Sequence, residues 1–165
     1  MKTSPKQLAL KVADEVWIAT ALLHRENPGR EDFSVTEIVE RTRREKLTPD
    51  LRPGVRVHAL LHCVANRPPN PGAYRMLFAT GKVTRRLSRR ADPYHPARRG
   101  KITPQRAEIP SAYHQLLDWY ESEYGAADSD PERTDPLLAL RGSGKHLWAA
   151  EHADEYVKRV REAWA

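Results

Sequence analysis

Two histidines, His58 and His62, stand four residues apart, and the chain's one cysteine, Cys63, comes directly after the second. Imidazole nitrogen and thiolate sulfur are both zinc ligands, so the trio raises the question of a metal site. On a helix, however, Cys63 lies about 100° round the axis from His62 and is badly aimed as a third ligand. The chain has no Cys-x-x-Cys pair, and His24, His95 or His114 would have to arrive from elsewhere. No metal is expected. The stretch "RGSGKH" has Ala139 where a phosphate loop needs glycine and His146 where it needs serine or threonine. Ser111, His114 and Asp118 have hydrolase residue types, but no G-x-S-x-G elbow accompanies them. The expectation is a binding protein, not an enzyme, with no catalytic residues and no cofactor.

The same histidines acquire another meaning if their helix faces a partner. "RPGVRVHALLHCVANRPPNPG" predicts a helix from Pro53 to Asn66, opened by a tolerated proline and stopped by a proline cluster. Val57, Leu60, Leu61 and Val64 recur at i, i+3, i+4 and i+7, which makes them the expected buried stripe. Val55, Ala59, His62 and Asn66 then face outward, with His58 on one flank and Arg56 and Cys63 on the other.

Two helices should precede it. Leu8, Val12, Val16, Ala19 and Leu23 keep helical spacing from about Pro5 to His24, and "NPG" at 27–29 is a turn. In "FSVTEIVERTRREK", Ser34 and Glu37 have capping-box spacing, with Val35, Ile38 and Val39 as the apolar face. "FSV" can alternatively be a short strand, with the helix starting at Thr36. A hairpin should come next: Tyr74, Met76 and Phe78 alternate with their neighbours, as do Val83, Arg85 and Leu87 after a turn at Thr80-Gly81. Three helices and a hairpin are the order of a winged helix-turn-helix. The fold expected is therefore mainly α with a small β-hairpin, plus extra C-terminal helices. A fourth helix carries Tyr113, Leu116, Leu117 and Tyr120 on one face. The division expected is a domain over 1–124, an acidic linker over 125–136 and a helical interaction tail over 137–165.

Charge agrees with that order. The chain has 165 residues and a formal charge of +6, a sign that favours polyanionic partners. Between Lys82 and Arg106 nine basic residues are opposed by Asp92 alone, whereas 118–136 is strongly acidic. In a helix-turn-helix the outward face of the third helix enters the major groove while basic side chains hold phosphates. The expected contacts to double-stranded DNA are Arg52, Arg56, His58, His62 and Asn66 from the helix. Lys82, Arg85, Arg86, Arg89, Arg90, Arg98, Arg99 and Lys101 complete the set from the hairpin and the loop after it. A lone cysteine fits a reducing compartment. No run of about 18 apolar residues spans a bilayer. A cytoplasmic location without membrane contact is expected.

The first ninety residues resemble the HARE-HTH family of winged helices in their long first helix, "FSVTEIVER", "RPGVRVHALLHCVAN" and terminal hairpin. That resemblance implies DNA binding, with transcriptional regulation in a bacterial setting as the expected role. The connection "NRPPNPGAYRM" is longer than the family's. The tail, "DPLLALRGSGKHLWAAEHADEYVKRVREAW", is similar to the C-terminal tails of bacterial type II antitoxins. It implies that Leu147, Trp148, Tyr156, Val157, Val160 and Trp164 pack on a partner protein or a second copy. The alternative reading is thus an antitoxin-like interaction module whose DNA binding serves autoregulation.

Overall fold

The computed structural model describes residues 10–127 and Glu162. The chain divides into two units, Met1–Ala127 and Asp128–Ala165, and all the elements described belong to the first. The expected helix start near Pro5, and the tail residues Leu147, Trp148, Tyr156, Val157, Val160 and Trp164, lie outside the described residues.

Helix α1 (Val12–Glu26) is the centre of the unit. Every residue from Ala13 to Ala21 is buried, including Asp14 and Glu15. Apolar residues on all sides of a helix require cover on all sides. The two carboxylates sit in the interior because each has a cation. Lys101 Nζ is 2.8 Å from Asp14, and Arg52 is 2.7 Å from Glu15. The helix ends at Asn27, whose side-chain amide donates to the Leu23 carbonyl.

Strand β1 (Phe33–Ser34) runs directly into α2 (Val35–Glu45). The two alternatives for "FSV" are both realised, with the helix beginning at Val35 rather than Thr36. The capping box is present: Glu37 N–H donates to Ser34 Oγ, and the Glu37 carboxylate accepts from Ser34 N–H at 2.8 Å. Arg30 pairs with the same carboxylate and holds it down at about 2. Lys46, at φ 54°, ends α2 in the left-handed region.

The third helix is an α-turn, α3 (Gly54–Val57), that widens into a π-turn, His58–His62. It stops short of the predicted Asn66. Cys63 carbonyl and Ala65 N–H instead bond Leu77 at 2.8 and 2.7 Å, so 63–65 is drawn out beside β2 (Leu77–Ala79). With β3 (Thr84–Leu87), β2 forms the expected hairpin. The antiparallel sheet has order β1-β3-β2, with Phe33 opposite Arg85. The result is mainly helical with a small antiparallel sheet, as the expected mainly α fold with a β-hairpin requires.

Helix α4 (His114–Trp119) continues into a π-turn, Tyr120–Tyr124, and buries Leu116, Leu117 and Tyr120 as predicted. Tyr120 meets Trp17 edge-on at 5.8 Å and donates its hydroxyl to the Ser88 carbonyl. Tyr120 thereby joins α4 to both the central helix and the end of the sheet.

Candidate nucleic-acid interface

The third helix is turned part of the way from its predicted wheel, with Leu60 still packed against the core as expected. Val55, Ala59 and Cys63 are buried, whereas Val57 and Leu61 are 41% and 39% exposed. Val55 and Ala59, expected outward, therefore pack inward, and Val57 and Leu61, expected inward, face solvent; Val64 is buried as expected. Two causes act together. The face that packs against its neighbours uses small residues at i, i+4 and i+8. The π-turn, closed by Cys63 N–H on the His58 carbonyl at 3.0 Å, also breaks the 100° spacing on which the wheel depends.

The end of this helix explains two of the arginines. The last four carbonyls of a helix lack partners within it. Arg85, on β3, donates to Ala59 O at 3.1 Å and Leu60 O at 3.3 Å. Arg98, from the loop beyond the hairpin, donates to Leu61 O at 2.7 Å and His62 O at 2.8 Å. Four successive carbonyls are thus held by two arginines, both essentially buried. Arg98 also takes the carbonyls of Arg67 and Tyr74, at 2.6 and 2.7 Å. Neither arginine pairs with a carboxylate among the described residues. The negative end of the helix dipole and the carbonyl oxygens supply the compensation. Burial still lowers both, Arg85 to about 10. These two residues are expected at phosphates; the structure places their guanidinium groups inside, with their donors occupied.

Other expected contacts are likewise committed to the fold. Arg86 is buried, forked onto Asp92 with both contacts at 2.7 Å and stacked over Phe78. Lys101 bridges Asp14 and Glu108, and Arg52 holds Glu15 and the Leu10 carbonyl. Asn66, expected outward, turns its amide onto the hairpin. It donates to Ala79 O at 3.0 Å and accepts from Ala79 N–H at 2.9 Å. Arg89 is half-buried over the Tyr124 ring.

The histidine pair is an internal contact more than an outward one. His58 Nδ1 lies 2.9 Å from the Gly54 carbonyl, and its ring meets His62 edge-on at 4.8 Å. Burial is the main reason that His58 is held below its usual value. Cys63 is buried on the other side, and burial pushes its thiol well up. Among the described residues no three histidine, cysteine or carboxylate side chains converge as a metal would need.

The outward-facing set is therefore smaller. Arg56, Lys82, Arg90 and Arg99 are exposed and have no ion pair among the described residues. From Leu51 to Ala91 the chain contains no aspartate or glutamate. That stretch includes the whole third helix and the hairpin. Arg85 bonds both Leu60 O and Lys82 O, and Arg67 reaches Gly81 O, so the hairpin tip sits beside the last turn of the helix. One carboxylate approaches the tip: Asp32 accepts from the Thr80 hydroxyl. Sequence reasoning missed the exposed Val57 and Leu61 and the structural use of the arginines. The small-residue row Val55–Ala59–Cys63 was the available signal for the first.

No helix among the described residues is long and apolar enough to cross a membrane. No family model, curated protein or solved structure matches the chain.

Proposed function

We propose that the unit over 10–127 binds double-stranded DNA, with the third helix in the major groove and the hairpin tip against the backbone. A role in transcriptional regulation goes with that reading. The observation that carries it is the carboxylate-free run from Leu51 to Ala91, folded so that a helix and a hairpin tip stand side by side. A basic run of this kind attracts a polyanion and gives its phosphates cations, with Asp32 the acid that stands beside the tip. An α-helix fits the major groove, and the helix–hairpin order is one in which such helices are presented.

The phosphate contacts in this reading are Arg56, Lys82, Arg90 and Arg99, not the buried arginines. Titration of a labelled random-sequence 20-bp duplex over a range of salt tests it. Four phosphate contacts give a slope of log K against log salt of about −3 to −4. Alanine at all four positions should flatten that slope nearly to zero while the fold persists. Tight binding that ignores salt, or an unchanged slope in the fourfold variant, contradicts the assignment.

A further inference from the structure

We infer that the outward face of the third helix reads thymine methyl groups through Val57 and Leu61. This rests on the DNA-binding reading and names what the helix recognises in the groove. Single exposed apolar side chains are ordinary on a protein surface. These two are one turn apart, at the end of α3 and within the π-turn, and both are exposed where Val55, Ala59 and Cys63 are buried. Both are about two-fifths exposed, and Arg56, the residue before Val57, is exposed as well.

Base edges are commonly read by asparagine, histidine or arginine donors. On this helix and just after it, Asn66 spends its amide on Ala79, and His58 is turned to the Gly54 carbonyl. The His62 ring packs against His58. The asparagine and histidines are thus engaged with the protein, and the exposed residues of the helix are Arg56, a phosphate contact in this reading, and the branched hydrocarbon of Val57 and Leu61. Among the groups that base pairs present in the major groove, the thymine C5-methyl is the apolar one. The absence of any carboxylate between Leu51 and Ala91 favours a polyanionic occupant over a protein surface.

The test begins with duplexes enriched by the protein from a random 20-bp pool at low salt. The enriched duplexes are remade with uracil for thymine, which removes the methyl and little else. Affinity should fall about fourfold for each methyl contacted, the factor that one buried methyl group carries. Val57→Ala/Leu61→Ala, both at exposed positions, should bind the thymine and uracil forms alike. Equal binding of the two forms by the unaltered protein overturns the inference and leaves DNA binding standing, as does binding without enrichment. A dimer in sedimentation that the double variant converts to monomer also overturns it, because a second copy would then cover the face. No binding to the pool at low salt removes the DNA-binding reading itself.

Discussion

Arg98 carries a positive charge into the protein and meets no carboxylate among the described residues. Its donors are spent on backbone carbonyls at the end of the third helix and in the turn after it. An unsatisfied buried carbonyl costs about 1–3 kcal/mol, and this side chain serves several. Arg98→Ala should therefore lower stability in urea unfolding by at least about 3 kcal/mol. Arg98→Lys should recover little, since an ammonium cannot reproduce the planar fork. Arg90→Ala, at an exposed position, should stay within about 0.5 kcal/mol. Equal small losses at both sites contradict the structural role of Arg98. Composition cannot separate these residues. A count of arginines registers charge, whereas the carbonyls that Arg98 serves lie up to 37 residues away in the chain.

The third helix shows where local pattern stops being informative. Its outer and inner faces both carry valine and leucine or similar apolar residues, so periodicity alone admits two orientations. The structure chooses the row of smaller residues for the interior, and the π-turn shifts the phase halfway along. Where the signal is a local hydrogen bond, sequence suffices: Ser34 and Glu37 cap α2 as their spacing requires. The fourth helix is legible too, because Leu116, Leu117 and Tyr120 offer one apolar face and no rival. The orientation of the third helix predicts an asymmetry between two substitutions. Ala59→Leu puts three more carbons into a closed interior and should cost about 1–3 kcal/mol. Leu61→Ala, on the exposed side, should cost less than about 1 kcal/mol. Chemical denaturation of the two variants measures both, and the reverse ranking contradicts the observed facing.

At the scale of the whole unit, most of the basic residues expected at DNA fall into two populations. One is committed to the fold: Arg85, Arg86 and Arg98, which are buried, and Arg52 and Lys101, which are partly buried, tie the loops, the hairpin and the third helix to the central helix or to one another. The other is exterior: Arg56, Lys82, Arg90 and Arg99. Composition sums the two, so the basic surface is sparser than the sequence implies. The order of helices and hairpin is legible because each element is marked by its own capping, alternation or proline signal, whereas the pairing of β1 with β3 is not. The candidate site is legible as a region but not as a residue set, since tertiary packing decides which side chains point out. In the proposed function the third helix and hairpin tip form the face that meets duplex DNA. Amide chemical-shift mapping of the protein with a 20-bp duplex tests that face most directly. The largest shifts should fall at 54–62 and 80–84, with the amides of α4 little changed. Shifts centred on α4, with 54–62 unmoved, would contradict it.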